Sequence, residues 1–137
     1  MKKTIFFDSY YELLNNKINI VDRNLLINIA SLINDTNDRH GKVIIIGNGG
    51  SAAIASHLSI DLTKASKIRS VNFNESSLLT CFSNDYGYEH WAEKAIEFYA
   101  DKYDLVILIS SSGESKNIIN RAIKAKSMGL HVITSSG

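Results

Sequence analysis

The spacing of apolar side chains along this chain changes period near residue 40. Within residues 4 to 17, Ile5, Tyr10, Leu13 and Leu14 recur at helical spacing, and Leu25, Leu26, Ile29, Leu32 and Ile33 do so within Asp22 to Asp38. Two amphipathic helices are predicted before any strand. Asp22 offers a carboxylate to cap the second, and "RHGK" ends it with basic residues and a glycine. Val43 to Ile46 is then continuously aliphatic, as a strand covered on both faces of a parallel sheet must be. After it the pattern predicts a helix over Ser51 to Lys64 and a weaker strand in "KIRSVNF". Helices over Glu75 to Phe82 and Tyr88 to Tyr99 follow, joined by the turn "SNDYGYE". Asp104 to Ser110 is the clearest strand. Ser115 to Met128 reads as a helix with Ile118, Ile119, Ala122 and Ala125 inward, closed by Gly129, and "LHVITSS" supplies a fourth strand.

Strands alternating with helices imply an α/β fold, a three-layer αβα sandwich with a parallel sheet and right-handed crossovers. The expected organisation is one domain of 137 residues, with N-terminal helices over 1–40 and the α/β core over 41–137. Lys plus Arg number 15 against 14 for Asp plus Glu, so charge argues for neither nucleic acid nor an anionic membrane as partner. Cys81 is the sole cysteine, which excludes an internal disulfide and makes a cytoplasmic location and a buried structural thiol the expectations. The opening "MKKTIFFDSYYELL" starts like a signal peptide, but Asp8 and Glu12 interrupt its apolar segment. No apolar run approaches the roughly 18 residues of a membrane span.

Two loops carry the candidate chemistry. "GNGGSA", Gly47 to Ala52, fits the dinucleotide pattern of a glycine turn between strand and helix. That pattern also needs an acid near the end of the second strand to hold the ribose, and Asn72 and Asn74 stand there instead. No nucleotide cofactor is expected, and the spacing of a P-loop is absent. The second loop, "ISSSGESKN", leaves the third strand with Ser110, Ser111, Ser112 and Ser115. Serine hydroxyls and free N–H groups at a helix N-terminus suit a phosphate monoester, and both loops follow the carboxyl ends of strands, where ligands of open α/β sheets collect. The bland alternative is that these serines merely form turns and caps.

"GNGGSAAIASHLSIDLTK", "SNDYGYE" and "ISSSGESKNIINRAIKAKSMGLHVIT" together resemble the SIS (sugar isomerase) domain in its phosphoheptose isomerase branch, over essentially the whole chain. The resemblance implies conversion of sedoheptulose 7-phosphate to a heptose 7-phosphate for lipopolysaccharide or capsule. It implies a homo-oligomer, a tetramer in this family, with sites shared between subunits. It puts Ser110, Ser111, Ser112 and Ser115 on the phosphate-binding loop, and Asn48, Gly49, Gly50 and Ser51 on the substrate-contacting turn. His57 and Asp61 fall on the catalytic helix, where some members bind zinc, and Asn84 and Asp85 fall on a position contacting substrate hydroxyls. Without the resemblance, His57 and Asp61 are a local i,i+4 pair, and Asn84 and Asp85 an Asx turn before Gly87.

The sequence departs from the family at several positions. Asp61 replaces a glutamate, Ser111 a threonine and Glu114 an asparagine; Ala65 stands where the family has a basic residue, while Lys64 and Arg69 are expected near the crevice mouth. The family's C-terminal strand and helices, with a second acid/base histidine, are not found before Gly137, so a truncated chain or a sheet completed by a partner is expected. The alternatives to an isomerase are a non-catalytic sugar-phosphate-binding module and a protein-binding adaptor.

Overall fold

The computed structural model describes residues 2–137, with side chains from Thr4 onward. The chain divides into two compact units, Met1–Ser31 and Leu32–Gly137. The first contains α1 (Lys2–Asn19) and the beginning of α2 (Arg23–Asp38). Asp22 caps α2 as expected, its Oδ1 accepting from the N–H of Asn24 at 2.8 Å. The predicted stripe of α1 is exposed: Ile5, Tyr10, Leu13 and Leu14 lie in solvent, as do Phe6, Phe7 and Tyr11. The end of α2 also differs from expectation. The helix stops at Asp38, before the basic residues, and the positive φ falls on His40 (62°) rather than on the glycine.

The second unit is built on a four-stranded parallel sheet in the order β2-β1-β3-β4, with β1 Val43–Gly47, β2 Ser70–Val71, β3 Leu105–Ser110 and β4 His131–Ser136. Alternation along the strands explains the layering. Ile44, Ile46, Val106 and Leu108 face a core with Trp91, Ala95, Ile96 and Ile118, contributed by α5 (Trp91–Tyr99) and α6 (Lys116–Ser127). Val43, Ile45, Leu105 and Ile107 face the opposite core with Ala55, Leu58 and Leu62 of α3 (Gly50–Lys64) and with Leu32 and Ile33. The expected three layers are therefore present. Moving outward from β1 to β2 uses a helix on one face, and moving from β3 to β4 uses a helix on the other, as crossovers of a single hand require.

Three further element boundaries differ from expectation. β2 is only two residues because Asn72 accepts the N–H of Asn74, and Asn74 then donates to Ala52 O and Ser56 Oγ instead of extending the ladder. The helix predicted to end at Phe82 runs on as α4 (Ser76–Tyr86) to Gly87, whose φ of 85° stops it. Glu75 caps α4 through both carboxylate oxygens, and the N–H groups of Ser77 and Leu78 hold its pKa below the usual carboxylate range. The next helix starts at Trp91 rather than Tyr88, because the carbonyl of Gly87 accepts from His90 and Trp91 and closes a turn first.

The amino end of the sheet is fastened by charge. Asp104, 1% exposed, accepts the N–H of Lys42 at 2.8 Å, the N–H of Asp101 at 2.7 Å and the Lys42 ammonium at 2.6 Å. Lys42 and Asp104 immediately precede β1 and β3, so this cluster sets the register of the two central strands at their first residues. Burial works against the Lys42 charge, but Asp101 and Asp104 outweigh it and hold its pKa above the ordinary lysine value.

Candidate functional site

In the order β2-β1-β3-β4 the chain reverses direction across the sheet between β1 and β3. A crevice opens outside the carboxyl ends of strands at such a switch point. Gly47 and Ile109 are register partners there, so the glycine turn and the serine loop leave the sheet side by side. The convergence expected from sequence is realised.

The glycine turn is shaped by two steric demands. A Cβ on Gly47 would lie 2.5 Å from the backbone of Ser51, so only glycine lets α3 begin directly against the strand end. Gly49 takes φ 52° and ψ −122°, a backbone that side-chain-bearing residues avoid. Gly49 and Gly50 are exposed and Asn48 and Ser51 half-buried. Opposite, Ser110 is buried and its Oγ accepts the N–H of Gly113 at 3.1 Å, while Ser112 Oγ accepts that of Glu114 at 3.2 Å. Ser111 is exposed. Ser115 occupies the N-cap of α6, yet its side chain makes no capping hydrogen bond. Ser110 and Ser112 thus brace the loop as acceptors while each hydroxyl keeps its own O–H donor, and the Ser115 hydroxyl makes no capping bond at the N-terminus of α6.

Reciprocal amides join the two loops. Asn48 Nδ2 donates to Asn117 Oδ1 at 2.9 Å, and Asn117 Nδ2 donates back to Asn48 Oδ1 at 3.3 Å. Asn48, Ser115, Lys116, Asn117, Tyr88 and Glu89 line a cavity of about 430 Å³. Beneath it Arg121 is fully buried, its Nη1 3.4 Å from Asn48 Oδ1 and its guanidinium carbon 5.0 Å from the centre of the Trp91 ring. Its Nε and Nη2 are buried without hydrogen-bond partners among the described residues. Burial lowers its pKa to about 10, with Tyr88 opposing more weakly, so it stays cationic at neutral pH. The apolar spacing of this helix predicts Ile118, Ile119, Ala122 and Ala125 on its inward face. Ile119 is instead exposed, and the buried row is Asn117, Ile118, Arg121 and Ala125. The i, i+4, i+8 spacing of Asn117, Arg121 and Ala125 was the available signal.

Other predicted residues lie elsewhere. His57 and Asp61 share a face of α3 as their spacing demands, with Nε2 and Oδ2 3.5 Å apart, and both are exposed. They line a separate open depression with Ala53, Ile54 and Leu58. They offer two donors suited to zinc, whereas a zinc site takes three or four protein ligands, and no group of three such residues forms among the described residues. The pair alone does not make a zinc site. Asn84 and Asp85 sit in the last turn of α4, not in an Asx turn, and Asn84 Nδ2 donates to Asp85 Oδ1 at 2.9 Å. Cys81 is exposed rather than buried, 3.7 Å from Asp85 Oδ2. Lys64 and Arg69 are not at the crevice. α3 starts at the carboxyl end of β1 and β2 follows it, so Lys64 at the end of α3 and Arg69 ahead of β2 belong to the sheet's amino end. There the carbonyl of Arg69 accepts from Val43 and its Nη1 donates to the carbonyl of His40.

Residues 6–137 match the SIS domain family. The chain is 36% identical over 135 residues to a phosphoheptose isomerase of Histophilus somni, covering 95% of this chain and 68% of that protein. Against a phosphoheptose isomerase of Helicobacter pylori it is 37% identical over 112 residues, covering 77% of this chain and 58% of that protein. The solved phosphoheptose isomerase of Neisseria gonorrhoeae superposes with a TM-score of 0.89 at 28% identity, over 99% of this chain and 73% of that one. A phosphoheptose isomerase from Francisella tularensis shares the fold at the same TM-score and 23% identity, over 100% of this chain and 76% of that one.

Proposed function

Because the chain belongs to the SIS domain family, and within it to the phosphoheptose isomerases, we propose that it interconverts sedoheptulose 7-phosphate and a heptose 7-phosphate. The observation that carries this reading is the meeting of the glycine turn and the Ser115 end of α6 at the switch point, joined by Asn48 and Asn117. The phosphate takes the Ser115 hydroxyl and the free N–H groups of α6, and the sugar lies toward Asn48 and Ser51.

Isomerisation moves one proton from C1 of the ketose to C2 through an enediol, with the hydroxyl proton passing from O1 to O2, and no net oxidation occurs. Asp61 is the carboxylate assigned to that proton and His57 its neighbour at 3.5 Å. In a single chain this pair lies apart from the Asn48 cavity and faces outward, which supports a site completed by a second copy. The exposed Phe6, Phe7, Tyr10 and Leu13 of α1 support the same homo-oligomer, a tetramer on the family resemblance. On this reading the heptose product feeds lipopolysaccharide or capsule synthesis in the cytoplasm.

The test is incubation with sedoheptulose 7-phosphate, with heptose 7-phosphate as the measured product. Asp61→Asn should cut the rate by at least about 10²-fold, the range assigned to a positioned acid or base. No product from the parent, or equal product from both, would sink the proposal. Binding of the sugar phosphate without turnover would instead favour a sugar-phosphate-binding module, the reading suggested by the separation of Asp61 from the cavity.

A further inference from the structure

Arg121 is wholly buried, carries two unpartnered guanidinium nitrogens and is paired with no carboxylate among the described residues. Such a charge is costly to bury, so its retention beside a cavity wall asks for a use. The chemistry of its neighbour supplies one. A guanidinium has donors only, so it can face an asparagine amide solely at the oxygen. Its Nη1 lies 3.4 Å from Asn48 Oδ1, the same oxygen that accepts from Asn117 at 3.3 Å.

Two facing asparagines have two equivalent arrangements, exchanged when both amides turn over. In the turned-over form the Asn48 NH2 would point at the Arg121 guanidinium, donor against donor. The cation therefore removes the degeneracy. With Asn48 Oδ1 held inward and Asn48 Nδ2 donating to Asn117 Oδ1 at 2.9 Å, each amide keeps a second N–H that makes no hydrogen bond among the described residues. Both residues line the same cavity as Ser115.

We propose that Arg121 is a positioning residue for the sugar: acting through Asn48, it orients both amides as donors along the wall between the glycine turn and the serine loop. That wall then accepts hydroxyl and carbonyl oxygens of the sugar, while the phosphate answers to the Ser115 end of α6. The inference rests on the sugar-phosphate reading above and adds the residue that selects which end of each amide meets the ligand.

Titration calorimetry with sedoheptulose 7-phosphate and, separately, inorganic phosphate tests it on the full chain. Arg121→Met keeps a flexible apolar stem against Trp91 and removes every donor. It should weaken sugar-phosphate binding about tenfold, the scale of one well-oriented hydrogen bond, while moving inorganic phosphate by less than about threefold. Arg121→Lys, a donor-only cation, should recover most of the loss. In the double variant Asn48→Ala with Arg121→Met the two losses should not add. Unchanged sugar-phosphate affinity in Arg121→Met, or an equal fall for both ligands, overturns the inference. Should Arg121→Met fail to fold, Arg121→Gln against Arg121→Lys reads the same difference, because an amide can meet either end of Asn48 and lysine only the oxygen. A parent that binds the sugar phosphate but yields no product refutes the isomerase and leaves this comparison intact. A parent that binds no sugar phosphate refutes both.

Discussion

Replacing Asp104 by Asn isolates the electrostatic fastening of the sheet from the chemistry at its other end. Asp104 is 1% exposed and accepts three hydrogen bonds, two from backbone N–H groups and one from the Lys42 ammonium. Asparagine keeps one acceptor oxygen of nearly the same shape and sets an NH2 where the other oxygen stood. If Asn Oδ1 keeps Lys42 N–H, the Lys42 ammonium and the Asp101 N–H both face a donor. Breaking one partner of a buried pair costs about 3–5 kcal/mol. Lys42 retains Asp101 at 2.7 Å, but that carboxylate is 78% exposed and offsets little, so about 3 kcal/mol is expected. In a chain of this size that corresponds to a fall in Tm on the order of 10 °C.

The pH dependence has a definite sign. The folded-state pKa of Lys42 is raised, so its stabilisation is complete below the ordinary value of 10.5 and is lost as pH rises through the higher folded value. The gap between parent and variant should therefore close only in strongly alkaline solution. Circular dichroism melts at neutral pH and above pH 10.5 measure both quantities. A loss below about 1 kcal/mol at neutral pH would refute the reasoning. So would a loss of phosphate affinity in the folded variant, because the cluster precedes β1 and β3 and the serine loop follows β3.

Three further outcomes are expected. Ser115→Ala should weaken inorganic phosphate about tenfold in calorimetry with little change in Tm, because its hydroxyl makes no capping bond; an unchanged Kd contradicts the assignment. Gly47→Ala should destabilise by about 1–3 kcal/mol in a denaturant titration and also weaken sugar-phosphate binding, because its Cβ meets Ser51 backbone at 2.5 Å; parent-like values for both would show that α3 can retreat freely. Cys81 should react fully with a thiol reagent in the native protein, and protection lifted only by denaturant would contradict its exposure.

Much of this protein was legible in local pattern. The unbroken aliphatic runs at Val43 and Leu105 specified strands buried on both faces, and the glycine and serine loops marked their carboxyl ends, because side-chain period and turn chemistry are properties of adjacent residues. The motifs also carried the SIS family, which the match over residues 6–137 bears out. Periodicity likewise put His57 and Asp61 on one helical face, and they stand 3.5 Å apart.

What local pattern could not supply was position across the sheet. The strand order and the direction of α3 send Lys64 and Arg69 to the amino end, away from the crevice where sequence proximity had set them. The extra turn of α4 carries Asn84 and Asp85 into a helix, and the exposed flank of α6 leaves Ile119 in solvent while Arg121 goes inward. An arginine reads as a surface residue until the packing of Trp91 and Asn48 around it is known. Spacing and backbone stereochemistry, both local properties, specify which segments form strands, helices and turns. Which side chains share a cavity and which charge lies beneath it follow from burial and long-range pairing, which arise where elements distant in the chain come together.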